Sequence, residues 1–129
     1  MIVHWLGWLS VLLFIFALGS YLARKSTSQK VKHFFRGKHH RMWGKLLLAV
    51  SILHGITASI CYVAKGLSSS YLLITLSGSF CVFVFTLLLM TYVKRTKLKQ
   101  NWFQLHKKAA MITVFAVILH ILLSFLLRK

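Results

Sequence analysis

Long apolar runs alternate with basic segments along this chain, and the alternation gives four apolar runs in all. Each run lacks charged residues over at least 19 positions. A helix needs about 17 to 25 mostly apolar residues to cross the hydrocarbon core of a bilayer. The pattern therefore predicts four membrane-spanning helices, at about residues 2–23, 40–64, 70–94 and 102–127.

Composition favours the same fold class. Hydrophobic residues make up 58% of the 129 residues, and proline, aspartate and glutamate are absent. A soluble domain of this composition would lack the polar side chains that cover its surface. No basic residue precedes the first run, and Arg24 and Lys25 follow it, so we expect a retained helix rather than a secretory signal. The sequence predicts an all-α fold, a single-domain integral membrane four-helix bundle.

The basic residues, which give a formal charge of +17, are distributed unevenly along the chain. Eight border the first connector and six the third, and these two connectors lie on the same side of a four-helix bundle. The fourteen are Arg24, Lys25, Lys30, Lys32, Arg36, Lys38, Arg41, Lys45, Lys94, Arg95, Lys97, Lys99, Lys107 and Lys108. Cytoplasmic loops carry an excess of lysine and arginine, so we expect extracytoplasmic N- and C-termini. We expect a multi-pass protein of a prokaryotic plasma membrane whose basic loops contact anionic lipid, and no nucleic acid.

Histidines are the main chemically active residues of the predicted spans, where an ionisable side chain is costly and tends to mark function. Four of the seven form two pairs of equal spacing: His40 and His54 in the second span, His106 and His120 in the fourth. Fourteen residues turn a helix to about 40° short of four full turns and climb about 21 Å. Each pair therefore lies on one helix face, with one member near the cytoplasmic edge and one beyond mid-membrane.

The two pairs predict iron ligands at two depths. Because one span intervenes, spans two and four run in the same direction, which places His40 level with His106 and His54 level with His120. A six-coordinate haem needs one neutral imidazole on each side of its iron. We therefore expect two haems b, bound without a covalent link because the chain has no Cys-x-x-Cys-His motif.

Other interpretations of these histidines remain open. His39 could replace His40 as a ligand if the start of the helix is irregular. A set of interhelical hydrogen bonds would also explain histidines within the membrane, although the equal spacing favours haem. A zinc site would need its ligands clustered at one level, which this spacing does not provide. Spans two and four share the histidine pattern, but residue identity reveals no internal repeat.

Two segments resemble a known family pattern: HRMWGKLLLAVSILHG and WFQLHKKAAMITVFAVILH. They are similar to the haem-binding helices of ferric-reductase and NADPH-oxidase-type membrane domains, and to the four-helix core of respiratory b-type cytochromes. In such proteins two helices each carry two histidines 13 or 14 residues apart, and a glycine often follows the first by about one turn, as Gly44 does. The resemblance implies that His40 and His106 bind an inner haem, and His54 and His120 an outer one.

The chain also departs from that family. Ferric-reductase-type domains usually have six helices, and eukaryotic members add a nucleotide- and flavin-binding module, whereas this chain has four predicted helices and no Gly-x-Gly-x-x-Gly motif. A nicotinamide donor would therefore require a separate flavoprotein, and quinol is the other plausible donor.

The expected function is transmembrane electron transfer, from a cytoplasmic-side or quinol donor to an acceptor, a redox protein or a quinone, on the opposite side. Arg41, Lys45, Lys107 and Lys108 are candidates to pair with the propionates of the inner haem, although membrane topology alone also accounts for them. The chain would be an electron-transfer protein or the membrane subunit of an oxidoreductase. Two alternatives stay open: a terminal reductase of quinone, oxygen species or ferric iron, and a non-redox membrane scaffold.

Overall fold

The computed structural model describes residues 2–23, 28–34, 37–64, 69–98 and 101–127, and nearly all of them are helical. The elements in chain order are α1 (Ile2–Ala23), α2 (Gln29–Phe34), α3 (Gly37–Ala64), α4 (Ser69–Val93), α5 (Arg95–Leu98) and α6 (Trp102–Leu126). The all-α class predicted from the sequence is confirmed. In the described part of the chain, the two short helices α2 and α5 were not predicted.

Four of these helices, α1, α3, α4 and α6, are long and apolar enough to cross a membrane. Their outward-facing side chains are mostly large and apolar: Trp5, Phe115 and Phe125 are each at least 70% exposed. Soluble proteins rarely present a continuous surface of this kind to water. The exposed surface of the long helices is therefore the surface that a lipid environment requires.

Few side chains of the described part are buried, and apart from Phe85 they are small or of medium size. The buried residues of the described part are Leu13, Ala23, Leu47, Ser51, Ile74, Cys81, Val84, Phe85, Thr113 and Ala116. Small residues allow helix axes to approach closely, which is the usual basis of helix association in membranes. Cys81 is buried and Cys61 is exposed, and the two are not joined by a disulfide.

The chain divides into two compact units, residues 1–54 and 55–129. In the first unit, α1 packs against the first part of α3, and the Phe16 and Trp43 rings stack with their centroids 5.1 Å apart. In the second unit, α4 packs against α6. Tyr62, near the end of α3, stacks on Tyr71 at the start of α4 with centroids 4.8 Å apart.

Helix α3 begins at Gly37, three residues before the predicted start. His39 and His40 therefore both lie inside a continuous helix. Helix α4 passes almost directly into α5, because the Lys94 amide still donates to the Met90 carbonyl and the Leu98 amide to the Lys94 carbonyl. These bonds keep the backbone polar groups of the basic segment paired.

Several hydroxyls within the long helices donate to a carbonyl of their own helix one turn earlier. Ser10, Thr75, Thr86 and Thr113 each donate to the carbonyl four residues before them, at 2.8 to 2.9 Å. This back-bonding satisfies a polar group without a partner from another helix. Three other hydroxyls, those of Ser20, Ser77 and Thr91, donate instead to the carbonyl three residues earlier.

Candidate functional site

The four histidines of the two equally spaced pairs are half-buried. Each lies against a neighbouring helix of its own unit. His40 and His54, on α3, contact α1. His106 and His120, on α6, contact α4. In both units the histidine nearer the start of its helix meets the later part of the partner helix, so each pair of helices is antiparallel.

His40 is held through its Nδ1 atom by two groups of α1. Nδ1 lies 2.8 Å from the Ser20 hydroxyl and 3.1 Å from the Ala17 carbonyl oxygen. A carbonyl oxygen can only accept, so Nδ1 carries the proton. The Ser20 hydroxyl donates its own hydrogen to the same Ala17 carbonyl at 2.9 Å, and it therefore accepts from Nδ1. In the neutral ring this places the lone pair on Nε2.

His106 has an equivalent arrangement in the second unit. Its Nδ1 lies 2.9 Å from the Thr91 hydroxyl, and that hydroxyl donates to the Leu88 carbonyl at 2.7 Å. With the single hydroxyl hydrogen assigned to the Leu88 carbonyl, the oxygen accepts from Nδ1–H. Trp102, one turn earlier on α6, lies beside the imidazole, with ring centroids 6.1 Å apart. The Nε2 atom of His106 therefore carries the lone pair too.

His120 is held by two consecutive residues of α4. Its Nδ1 lies 2.9 Å from the Ser77 hydroxyl, which donates to the Ile74 carbonyl at 2.8 Å. A Cβ added at Gly78 would lie 3.1 Å from Cε1 of the imidazole, closer than side chains normally tolerate. With the Ser77 hydrogen assigned to the Ile74 carbonyl, the ring proton is assigned to Nδ1, and Gly78 lets the ring approach the α4 backbone.

His54 meets a glycine in the same way. A Cβ added at Gly7 would lie 3.2 Å from Cε1 of the His54 ring. The backbone of Val3 and the side chain of His4 are its further neighbours on α1. Both outer histidines of the predicted haem pairs therefore lie directly on a glycine of the adjacent helix.

The contacts of the histidines repeat from the first unit to the second, although residue identity shows no internal repeat. Gly7 and Ser20 of α1 correspond to Gly78 and Thr91 of α4, since each pair is 13 residues apart. In both units the glycine meets the later histidine and the hydroxyl meets the earlier one. The repeated unit is a helix pair with one histidine-bearing helix and one supporting helix. The sequence signal that could have identified it is the recurrence of small and hydroxyl residues in α1 and α4 at nearly the histidine spacing.

Small side chains lie along the histidine-bearing helices. Ser51, Thr113 and Ala116 are among the buried residues, and Thr113 is wholly inaccessible. The Ser51 hydroxyl and the Trp43 indole nitrogen are buried without a hydrogen-bond partner among the described residues. At Gly44 an added Cβ would meet no atom within 4 Å. Close packing in the described structure therefore does not require glycine at Gly44.

The four basic residues considered as propionate partners are all exposed: Arg41, Lys45, Lys107 and Lys108. Lys108 lines an open groove of about 350 Å³ together with Lys94 and Thr91, the residue that binds His106. Positive charge therefore lies close to the His106 end of the second unit. A role for the four residues in binding propionates stays a prediction.

The donor set fits iron in haem better than a compact metal site. No group of three histidines or cysteines that could hold a metal ion occurs among the described residues. Haem iron requires only one imidazole from each side, through a neutral ring nitrogen. In three of the four histidines the hydrogen bonds assign the ring proton to Nδ1, and on α3 the Trp43 and Ser51 side chains have buried polar atoms without a hydrogen-bond partner among the described residues. The pairing of His40 with His106 and of His54 with His120 stays a prediction.

The continuous start of α3 also bears on His39. Its candidacy as a ligand depended on an irregular start to the helix, whereas the structure has regular helix from Gly37 onwards. His40, at 14 residues from His54, is the one that meets Ser20 and Ala17. The geometry of the first unit thus favours His40.

Comparison with protein-family models found no match to this chain. Comparisons with curated protein sequences and with solved structures also found none.

Proposed function

We propose that this chain is a diheme b-type membrane cytochrome. Paired histidines would hold two haems b, which would carry electrons across the bilayer. His40 and His106 would bind the inner haem, and His54 and His120 the outer one. The four long helices would cross the plasma membrane as a bundle, with both termini on the extracytoplasmic side. Haem b supplies a reversible one-electron couple at each depth.

The observation that carries the proposal is the position of the histidine rings. Nδ1 of His40, His106 and His120 lies 2.8 to 2.9 Å from a hydroxyl oxygen of the adjacent helix. A histidine that binds a metal through one nitrogen almost always donates its other N–H to such an acceptor, which fixes the tautomer and the ring orientation. Three histidines with matched spacing thus have the hydrogen-bonding pattern expected of ligands.

The chain's own residues would orient the cofactors and exclude water from them. The glycines of α1 and α4 let the outer histidines lie close to the supporting helices. Trp43, with its buried indole N–H, follows His40 by three residues, close in sequence to Arg41 and Lys45. In a chain without acidic side chains, the propionates are the carboxylates that such donors would bind.

The same hydrogen bonds would serve a non-redox scaffold, in which histidines only join helices. An absorption spectrum separates the two functions. We expect the protein purified in detergent from haem-replete cells to show a Soret band, with two haems b per chain by pyridine haemochrome. His33→Ala, which changes an exposed histidine of α2, should keep both haems. A folded, colourless protein would establish the scaffold instead.

The proposed topology defines the two sides of the membrane at which electrons would enter and leave. On the basic, cytoplasmic side, a flavoprotein or quinol would reduce the inner haem. On the other side, the outer haem would pass electrons to a redox protein or quinone. Turnover of the purified protein with a soluble acceptor alone would instead favour a terminal reductase.

A further inference from the structure

We infer that the hydroxyls of Ser20, Ser77 and Thr91, on α1 and α4, select the tautomer of the histidines that they contact. Through these histidines, the same hydroxyls lower the reduction potential of the bound haem iron. The effect on potential rests on the proposed function. The selection of the tautomer does not, because it concerns the protein without cofactor.

These three hydroxyls differ in geometry from four other hydroxyls of the described helices. Ser20, Ser77 and Thr91 donate to the carbonyl three residues earlier. The other four, which do not contact a histidine, donate to the carbonyl four residues earlier. The distinction holds in both units, so the histidine contact and the hydroxyl orientation occur together. In each case the hydroxyl oxygen lies within 2.9 Å of both a carbonyl of its own helix and Nδ1 of the ring, so a hydrogen assigned to the carbonyl leaves a lone pair for the ring.

The two hydroxyls of α4 also match the histidines in spacing. Ser77 and Thr91 are 14 residues apart, as are His106 and His120 on the antiparallel helix α6. Fourteen residues return each helix to nearly the same face. A single register of α4 against α6 therefore places Ser77 at His120 and Thr91 at His106. Chance contact of one serine with one histidine would not produce this correspondence.

The chemical consequence follows from the direction of the hydrogen bonds. An acceptor on Nδ1–H increases electron density at Nε2 and makes the ring a more basic ligand. A more basic ligand favours ferric over ferrous iron and so lowers the reduction potential. Ser20 and Thr91 would act on the inner haem, through His40 and His106. Ser77 would act on the outer haem, through His120.

The test compares three variants of α4. Thr91→Val removes the acceptor with almost no change in shape, and Thr91→Ser restores it. Thr86→Val makes the same chemical change at an exposed hydroxyl that donates to the Val82 carbonyl. Circular dichroism of each variant in detergent establishes that it is folded.

The first readout is the histidine tautomer in cofactor-free protein, from nitrogen-15 NMR, with the His106 signal assigned by its loss in His106→Ala. We expect His106 to be protonated at Nδ1 in the wild type, Thr91→Ser and Thr86→Val, and to become a mixture of tautomers in Thr91→Val. The second readout is potentiometric titration of the haem-loaded protein. The potential of one haem should rise in Thr91→Val alone, and the other should stay unchanged.

The outcomes distinguish this inference from the proposed function. Identical tautomers in Thr91→Val and Thr86→Val, or equal potentials of their haems, would overturn the inference, because the hydroxyl would then only pack. A wild-type protein that binds no haem would refute the proposed function. In that case the NMR measurement still decides whether the Thr91 hydroxyl selects the tautomer of His106.

Discussion

The His120 ring is confined by two adjacent residues of α4, since Ser77 accepts from Nδ1 and Gly78 lies under Cε1. A side chain at Gly78 would have to displace the ring. We expect Gly78→Val to destabilise the fold by about 1–3 kcal/mol, as overpacking of a close contact does, and to lower the content of the outer haem. Thermal unfolding in detergent and haemochrome analysis measure the two effects.

Ser79→Val is the matched control, because it adds a branched side chain at the next residue, which is exposed. It should retain stability and both haems. If Ser79→Val and Gly78→Val behaved alike, the β-branched residue in the helix, and not contact with His120, would be responsible.

Single replacements of the histidines test the assignment of ligands to levels. His54→Ala or His120→Ala should remove the proposed outer haem and largely spare the inner one, because each would take away one of the two histidines proposed to hold the same iron. His106→Ala should do the reverse. Redox-difference spectra with haem quantification report the loss. If all three variants lost both haems equally while folded, the assignment of levels would be wrong.

At the scale of the element, α3 extends past His40 to Gly37, so the proposed inner ligand lies inside a regular helix. The amide of residue 42 then belongs to the hydrogen-bonded interior of the helix, whereas that of residue 38 lies in the first turn, where amides have no helical partner. Proline at these two positions should therefore have unequal effects.

We expect Met42→Pro to cost about 3 kcal/mol, the usual penalty of proline inside a helix, and to weaken retention of the inner haem. Lys38→Pro should be tolerated. The Met42 side chain is 44% exposed, so its loss adds little. Thermal unfolding followed by circular dichroism compares the two, and equal tolerance of both prolines would indicate that the helix begins nearer His40.

At the scale of the whole molecule, the distribution of basic residues determines the expected orientation. Fourteen of the 17 lysines and arginines border the first and third connectors, and this excess favours the cytoplasmic side. A reporter fused after α6 should therefore be active only if it functions outside the cytoplasm. Paired fusions of alkaline phosphatase and a cytoplasmic fluorescent protein measure this, and fluorescence without phosphatase activity would reverse the inner and outer sides.

Much of the fold could be predicted from local sequence. In a bilayer the backbone must satisfy its own hydrogen bonds, so length and apolarity are sufficient to indicate a helix. The spacing of His40 to His54 and of His106 to His120 is likewise a property of one helix. The short helices α2 and α5 were not predicted, because they lie in basic connectors without an apolar pattern.

The sequence by itself thus determined the four long helices and the histidine faces, because both depend on the period of a single helix. Only the tertiary structure decided which residues support the rings. Gly7, Ser20, Ser77, Gly78 and Thr91 resemble other small residues of α1 and α4 until the register of each helix pair is known. That register depends on side-chain packing between residues far apart in the chain, which no local pattern encodes.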